Sequence, residues 1–387
     1  MAGRAVVSGG AGFIGRRLVA RLLSGGWNVA VLDALVPAVH GPDAGPPAEL
    51  DGARFVRGDA RDADAWREVL AGDADVVWHL AAETGTGESM YRARRYVDVN
   101  VGGTALLCDL LADGAADPGR VVLAGSRAVY GEGPWTCASC GPVYPGPRAA
   151  DALARGAWEP DCPGCGGGLE PLPAGQGTRL DPASVYALTK RDQEDILRLL
   201  LPPRGVEVLT LRLQNVYGPG QSLRNPYTGI LSIFSVRLLD GEPVSVFEDG
   251  RESRDFVYVE DVVDALVAAA DAPLPADAAG ALTVDVGSGR ATSVHDVALR
   301  LARLYGADPS AVRVTGEYRM GDIRHGRADV SALRRLLGEV PETTLDEGLT
   351  ALADWVRAHE RGASALEGAL AEMRERGLLG RAGGSEG

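Results

Sequence analysis

The chain has 387 residues, which is long enough for one large domain or two smaller ones. Hydrophobic residues make up 45% of it and charged residues 24%, as is typical of soluble globular proteins. The formal net charge of -14 argues against nucleic acid or an anionic membrane surface as the main partner. The sequence shows no signal-peptide layout and no apolar run of transmembrane length, so we expect a cytoplasmic protein.

The first elements predict a dinucleotide-binding site. An apolar strand leads into a loop with Gly9, Gly12 and Gly15, and a helical pattern follows. Glycines at this spacing let the backbone turn tightly and approach a pyrophosphate at the helix N-terminus. A second strand, 29–32, ends in Asp33, whose carboxylate suits a ribose 2′-hydroxyl and repels a 2′-phosphate. The pattern favours NAD over NADP; the alternative is a glycine-rich loop without a ligand.

Two further strands follow in the same alternation. Asp59 ends the third strand, and we expect it either to face the adenine edge or to be a helix-capping or solvated aspartate. The fourth strand runs from Asp75 to Ala82 and contains His79, which we interpret as a packed strand histidine rather than a ligand. The small residues at its end leave room for a cofactor to lie against the backbone.

The alternation of strand and helix continues beyond the fourth strand. A long helix is predicted from about Glu88 to Leu111, and a fifth strand, 121–124, leads to Ser126. Strands that alternate with helices form a parallel sheet with helices on both faces. The sequence therefore predicts an α/β fold with a doubly wound, Rossmann-type parallel sheet.

Tyr186 and Lys190 are four residues apart, so they lie on one face of a helix, one turn from each other. Asp181 is the predicted N-cap of this helix. A nearby ammonium favours the phenolate, so we expect the pKa of Tyr186 to be lowered. A phenol poised nearer neutrality can transfer a proton at a sugar or steroid hydroxyl. The alternative is an ordinary amphipathic helix with a surface lysine.

Four of the five cysteines form two Cys-x-x-Cys pairs inside a Gly- and Pro-rich stretch, 132–177, that lacks apolar periodicity. Two such pairs present four thiolates to one tetrahedral ion, and four protein ligands leave no open position. We therefore predict a structural zinc ion; the alternatives are disulfides or reactive thiols. Cys108 stands alone and is expected in the core. The predicted zinc ligands are Cys137, Cys140, Cys162 and Cys165.

Together the motifs resemble those of the extended short-chain dehydrogenase/reductases. The resemblance covers nearly the whole chain, in the family's order. Its C-terminal part, including Asn215 and Arg254, is similar to the nucleotide-sugar epimerase and dehydratase branch. The motifs are Gly9-x-x-Gly12-x-x-Gly15, His79-Leu80-Ala81-Ala82, Asn100, Ser126-x-x-x-Tyr130-Gly131 and Tyr186-x-x-x-Lys190.

The resemblance implies a role for each matching residue. Tyr186 would be the acid and base at the sugar hydroxyl, Ser126 would hydrogen-bond that oxygen, and Lys190 would bind the nicotinamide ribose and lower the tyrosine pKa. The other NAD contacts would be Gly9, Gly12, Phe13, Ile14, Gly15, Asp33, Asp59, Ala60, Leu80, Ala81, Ala82 and Asn100. The nucleoside diphosphate-sugar would contact Glu83, Ser126, Asn215, Gln221, Asn225, Arg254 and Arg324.

Dehydratases of this branch carry an Asp-Glu pair after the catalytic hydroxyl residue, whereas Arg127-Ala128 follows Ser126 here. The insertion and the stretches 158–160, 214–223, 225–229 and 247–250 resemble a subgroup of dTDP-L-rhamnose 4-epimerases. This resemblance implies transient oxidation at sugar C4, with NAD retained through turnover, and formation of dTDP-6-deoxy-L-talose. The alternatives are a UDP-sugar 4-epimerase, an NDP-4-keto-6-deoxysugar reductase and, from another class, a non-catalytic dinucleotide-binding scaffold.

We expect four regions: an NAD-binding Rossmann domain, the zinc insertion, a substrate-binding region interleaved with the Rossmann domain, and a C-terminal helix with a tail frayed from Gly380. The resemblance also implies a homodimer, formed through the Glu88 to Leu111 segment and the Tyr186 helix. The expected bounds are 1–131 with 178–212, then 132–177, 213–360 and 361–387.

Overall fold

The computed structural model of the chain describes residues 3–223, 225, 229–338, 343–359 and 366–383. Residues 226–228, which contribute to the resemblance, lie outside this described part. The strands are β1 (Arg4–Ser8), β2 (Asn28–Asp33), β3 (Arg54–Arg57), β4 (Val76–His79), β5 (Arg120–Ser126), β6 (Trp135–Cys137), β7 (Gly141–Val143), β8 (Leu169–Pro171), β9 (Glu207–Leu213), β10 (Asn215–Tyr217), β11 (Val244–Val246), β12 (Ser253–Arg254), β13 (Phe256–Tyr258), β14 (Ala281–Val286), β15 (Thr292–Ser293), β16 (Val312–Val314), β17 (Glu317–Arg319) and β18 (Leu379–Arg381).

Helices connect most of these strands, and α8 is the longest of those described, with 16 residues. None of the described helices is long and apolar enough to cross a bilayer. The helices are α1 (Gly15–Ser24), α2 (Pro37–His40), α3 (Ala63–Leu70), α4 (Thr86–Ser89), α5 (Ala93–Tyr96), α6 (Gly103–Ala112), α7 (Ala150–Ala154), α8 (Val185–Leu200), α9 (Ile230–Leu239), α10 (Val259–Ala268), α11 (Val294–Tyr305), α12 (Ser331–Leu337), α13 (Leu345–Ala358) and α14 (Leu366–Glu375).

Seven strands form the central sheet in the order β3-β2-β1-β4-β5-β9-β14, and each neighbouring pair is parallel. The side chains alternate between its two faces, because successive residues of a strand point to opposite sides. Thus Val7 packs with α1, α10 and α12 on one face, whereas Val6 packs with α3, α6 and α8 on the other. The predicted doubly wound fold is confirmed. Its strand order reverses between β1 and β4, where such folds bind ligands at the carboxyl ends of the strands.

A smaller C-terminal region has a hydrophobic core of its own. Helices α9, α11 and α13 pack there with the parallel pair β11 and β16. Val297, Leu301 and Leu349 are completely buried in this core. This region forms the wall that faces the carboxyl ends of the large sheet, and it completes the cavity described below.

Three local predictions are wrong. The segment predicted as one helix is broken at residues 90–92, between α4 and α5; from Ala93 it continues through a π-helix, Val97–Gly102, into α6. Ser184 rather than Asp181 caps α8, because its Oγ accepts from the N–H of Ala187 at 3.1 Å. The tail is not frayed from Gly380, since β18 pairs antiparallel with β17; residues 384–387 lie outside the described part.

Candidate active site and four-cysteine insertion

A cavity of about 750 Å³ opens at the carboxyl ends of the central strands and extends to the C-terminal region. Most of the residues predicted to bind cofactor or substrate line it, although they come from separate parts of the chain. The lining includes Gly9, Gly12, Phe13, Ile14, Gly15, Asp33, Asp59, Ala60, Leu80, Ala81, Ala82, Glu83, Ser126, Tyr186, Lys190, Asn215, Gln221, Asn225 and Arg254.

The glycine-rich loop has the shape that a dinucleotide requires. A Cβ on Gly9 would lie 2.7 Å from the backbone nitrogen of Ala81, and one on Gly15 would lie 2.1 Å from the carbonyl oxygen of Gly9. Both positions are therefore restricted to glycine by close backbone packing. A Cβ on Gly12 would meet only the carbonyl oxygen of Gly9, at 3.3 Å, so the rest of the space around Gly12 is open. The loop thus leaves a path for a pyrophosphate to approach the start of α1.

Asp33 holds the glycine loop against the end of β2. Its Oδ2 accepts from the N–H of Ala11 and its Oδ1 from the N–H of Leu35, both at 2.9 Å. A carboxylate oxygen has two lone pairs, so each can still accept from a ribose hydroxyl. Asp59 also lines the cavity, and its bidentate contact with Arg61 lowers the pKa of Asp59 and keeps it ionised.

Strand β5 and helix α8 bring Ser126, Tyr186 and Lys190 to the same part of the cavity. Ser126 is the last residue of β5, and its Oγ accepts from the N–H of Ala128 at 3.2 Å. Tyr186 is in the first turn of α8, and the ring of Tyr96 meets it edge-on at 6.4 Å. Lys190 follows one turn later, with its ammonium 3.1 Å from the carbonyl oxygen of Ala124.

The predicted fall in the pKa of Tyr186 does not occur in this structure. Burial raises the pKa of Tyr186, and a hydrogen bond with Ser126 opposes this rise only in part. Burial also lowers the pKa of Lys190 to about 8, against the influence of Glu194. The lysine is therefore cationic at neutral pH, but its ammonium is directed to a backbone carbonyl of β5.

His79 and Asn100 are buried and stabilise the walls behind the cavity. The two ring nitrogens of His79 lie 2.7 Å from Ser8 Oγ and 2.9 Å from Thr104 Oγ1, as expected for a packed strand histidine. Asn100 does not line the cavity. It accepts from the N–H of Glu83 and donates to the carbonyl of Glu83 and to Thr189 Oγ1. We therefore replace its expected NAD contact with a role in holding the loop after β4.

The two predicted arginines differ in their positions. Arg254 lines the cavity and donates to the carbonyl oxygens of Ile323 and Arg324 at 2.9 and 3.2 Å. The expected substrate contact of Arg324 is wrong, because that side chain is 1% exposed and lies outside the lining. Its guanidinium forms ion pairs within 3 Å of three carboxylates, those of Glu159, Glu248 and Asp249.

Arg319 lines the cavity and was not singled out from the sequence. Its guanidinium carbon lies 5.7 Å from the ring centroid of Phe247, another lining residue. The Nε of Arg319 is buried without a hydrogen-bond partner among the described residues. The rest of the guanidinium, whose Nη1 lies 3.9 Å from Asp322 Oδ2, presents cationic donors at the cavity wall and is suited to bind an anionic ligand. The only sequence signal was its place two residues before the Gly321-Asp322 segment.

The insertion folds around its four cysteines. Strands β7, β6 and β8 form a three-stranded antiparallel sheet in that order. The four sulfur atoms lie within 4.8 Å of one another, and those of Cys137 and Cys165 are 3.5 Å apart. Tetrahedral zinc thiolates have sulfur atoms about 3.8 Å apart, so the arrangement fits the ion. A hydrogen bond with Cys165 raises the pKa of Cys140 to about 12. A dication bound between the four sulfur atoms would lower this pKa and favour the thiolate.

Comparison with known proteins gives consistent results. Residues 5–146 and 166–284 match the family described as NAD dependent epimerase/dehydratase. The chain is 40% identical to a dTDP-L-rhamnose 4-epimerase from Burkholderia thailandensis over 353 residues, which cover 91% of this chain and 94% of the relative. It is 31% identical to a UDP-glucose 4-epimerase from Mycolicibacterium smegmatis, over 92% and 98% of the two chains. The UDP-glucose 4-epimerase from Thermus thermophilus, solved with NAD, aligns with a TM-score of 0.70 at 27% identity, over 92% and 100% of the chains.

Proposed function

Because the chain belongs to the NAD-dependent epimerase/dehydratase family, we propose that it is a nucleotide-sugar 4-epimerase that converts dTDP-L-rhamnose to dTDP-6-deoxy-L-talose. The observation that carries the proposal is the convergence of Ser126, Tyr186 and Lys190 in one cavity with the glycine loop. The identity of 40% with a dTDP-L-rhamnose 4-epimerase supports this choice of sugar.

NAD would be held by the glycine loop, by Asp33 and by Lys190. When bound, NAD+ would supply the acceptor for the hydride of the sugar C4 and, once reduced, the donor that restores it. Tyr186 would take the proton of the C4 hydroxyl as a phenolate, which the positive charge of bound NAD+ would favour against the effect of burial, and would give it back after the sugar has turned. Ser126 donates a hydrogen bond to the same oxygen and orients it toward Tyr186. The net reaction is redox-neutral, so the cofactor stays with the enzyme.

The diphosphate would be held by Arg254 and Arg319 while the sugar turns. A guanidinium presents several donors in a fixed fork, which matches the oxygens of a phosphate. Phe247, which lies beside Arg319 in the lining, would offer an apolar ring to the nucleobase. Arg127 also lines the cavity, where a dehydratase would have its acidic pair. The absence of a carboxylic acid beside Ser126 favours epimerisation over elimination of water.

We also propose that the four cysteines bind one structural zinc ion. The stretch 132–177 has no hydrophobic core as large as those of the central sheet and the C-terminal region. Metal ligation would therefore supply free energy for its folding. None of the five cysteines forms a disulfide, so all four thiols of the insertion are free to ligate a metal. We keep the proposed division of the chain into a Rossmann domain, the zinc insertion and a substrate-binding region.

The expected homodimer is supported by exposed apolar side chains on α8 and the neighbouring helical segment. Val97, Leu188, Leu199 and Leu200 are 43–60% exposed, although large apolar residues are usually buried. Such a surface fits a second copy of the chain, which would pair the two helical segments in a four-helix arrangement.

The test of the function is proton NMR of dTDP-L-rhamnose with the purified protein and no added NAD. A new anomeric signal from the 4-epimer would support both the reaction and the retained cofactor. The similarity to UDP-glucose 4-epimerases makes UDP-glucose and UDP-galactose the second substrates to test. Reaction of these sugars alone would overturn the dTDP-sugar assignment, and net consumption of NADH with a 4-keto-6-deoxy sugar would make the enzyme a reductase.

A further inference from the structure

Arg148 belongs to the four-cysteine insertion, but its guanidinium reaches the back of the cavity wall. Its side chain is 3% exposed, and its Nε donates to Glu132 Oε1 at 2.9 Å. The Nη2 atom forms an ion pair with Glu248 Oε1 at 2.8 Å and donates to the carbonyl oxygen of Asp322 at 2.9 Å. A third nitrogen, Nη1, donates to the carbonyl of Trp158 at 3.3 Å. One side chain therefore joins four separate parts of the chain.

Two of these partners belong to the cavity itself. Glu248 and Asp322 both line it, whereas none of the described residues 132–182 does. The insertion thus supports the wall from behind and does not cover the sugar. Two ring contacts strengthen the same attachment, because Trp158 meets Tyr318 at 6.2 Å and Trp135 meets His325 at 5.6 Å.

The segment 319–324, which Arg148 anchors through Asp322, also determines where the diphosphate-binding arginines point. Arg319 is part of this segment. Arg254 lies on the other side and donates to the carbonyls of Ile323 and Arg324. A displacement of the segment would therefore move both guanidinium groups. Hydrogen bonds from a guanidinium to phosphate oxygens depend on distance and angle, so such a displacement would weaken the binding of the diphosphate.

We propose that Arg148 is a positioning residue, through which the insertion sets the affinity of the cavity for the nucleoside diphosphate without touching it. This inference rests on the proposed function. A lysine at this position would keep the positive charge but lose the planar fork, so it could not hold two carboxylates and two carbonyls at once. We therefore expect the affinity to depend on the guanidinium and not on charge alone.

The test compares Arg148→Lys with Arg155→Lys in the full-length protein. Arg155 lies in the same insertion, is exposed, and forms its ion pair with Asp151 one helical turn away. Calorimetry would measure the Kd of dTDP and of UDP, and the steady-state assay would measure kcat and KM. We expect R148K to weaken nucleotide binding and raise KM by about tenfold, as weaker charge-assisted hydrogen bonds to the diphosphate would, with kcat, bound NAD and bound metal unchanged. R155K should match the wild type.

Glu132→Gln provides a second variant in case R148K folds poorly. Glu132 pairs with Arg148 but does not line the cavity, so its replacement should also weaken nucleotide binding, by a smaller factor. A merely structural role would lower the melting temperature and leave the Kd of the folded protein unchanged. Unchanged Kd values in both variants would overturn the inference alone. If the wild type bound neither dTDP nor UDP, the proposed function would fail and this inference with it.

Discussion

The ammonium of Lys190 donates to the backbone carbonyl of Ala124 at 3.1 Å, and this bond joins helix α8 to strand β5. Ala124 is two residues before Ser126, and Lys190 is one turn after Tyr186. The bond therefore fixes the relative positions of the serine and the tyrosine before any ligand binds. Because Lys190 is 4% exposed and its partner is a carbonyl, its positive charge is held inside the protein at neutral pH.

Tyr186→Phe should abolish epimerisation and leave the bound cofactor in place. The change removes a single hydroxyl, so the packing of the ring against Tyr96 is kept. Loss of a general acid and base lowers turnover by about 100- to 10,000-fold. NMR would follow the sugar, and the absorbance of NAD released on denaturation would give the cofactor content. Tyr144→Phe, in the insertion, is the matched control. Full activity of Y186F would remove the acid and base role from this residue.

The glycine loop, the parallel sheet and the cysteine cluster could be predicted from short motifs in the sequence. Gly9 and Gly15 are restricted by backbone atoms, so their spacing alone identified the loop. The parallel sheet was predicted from the alternation of strands and helices. The cluster of four cysteines was predicted from the spacing of the two Cys-x-x-Cys motifs. These features depend on residues that are neighbours in sequence or on one repeated pattern, which is why they could be predicted.

The role of Arg324 could not be predicted in the same way. Its partner Glu159 is 165 residues away in the sequence, and only the folded chain brings them within 3 Å. A sequence shows that an arginine is present, but it does not show which carboxylates neutralise it. The rise in the pKa of Tyr186 has a similar origin, because helical spacing gives the distance to Lys190 but not the burial of the phenol.

Cys137→Ser and Cys162→Ser should each reduce the bound zinc and lower the thermal stability of the protein. Both cysteines are almost completely buried, and three thiolates cannot complete the tetrahedral site. Elemental analysis would give the metal content, and a melting curve with and without a chelator would give its contribution to stability. Cys108→Ala is the control, since this cysteine is buried in the core behind the sheet. A wild-type protein that carries no metal would contradict the zinc assignment.

Replacing Arg319 and Arg324 with methionine should produce different defects. Arg319→Met removes a guanidinium from the cavity wall, so we expect KM for the nucleotide sugar to rise by about tenfold or more at unchanged stability. Arg324→Met removes one of the two arginines that pair with buried Glu248, the other being Arg148, so we expect the free energy of unfolding to fall by about 1–3 kcal/mol. Enzyme kinetics and thermal melting separate the two effects. A substrate-binding defect in a fully stable R324M protein would show instead that Arg324 contacts the substrate, as expected from the sequence.

Leu188→Glu should convert the proposed dimer to a monomer. Leu188 is 46% exposed on α8, and a carboxylate there would be desolvated in an interface between two copies. Sedimentation or light scattering would measure the molecular mass. Val314→Glu is a suitable control, because Val314 is 48% exposed but lies outside both helical segments. A monomeric wild type, or a dimer that persists in L188E, would count against this interface.

Glu252→Gln should stabilise the protein at alkaline pH. Glu252 is 6% exposed in the cavity wall, and its Oε2 has no hydrogen-bond partner among the described residues. Burial raises the pKa of Glu252 from 4.5 to about 7, so the folded state holds this proton more tightly than the unfolded state. Stability contributed by the protonated carboxyl is therefore present below about pH 4.5 and lost as the pH rises through about 7.

The neutral amide of E252Q does not titrate, so the variant should lack this loss. Without added ligands, we expect its melting temperature to equal that of the wild type near pH 5 and to exceed it by several degrees at pH 8. Asp285, whose pKa burial raises to about 7, remains in both proteins, and its titration cancels in the comparison. A difference between the two melting temperatures that stays constant from pH 5 to pH 8 would show that Glu252 is not the group whose ionisation costs stability.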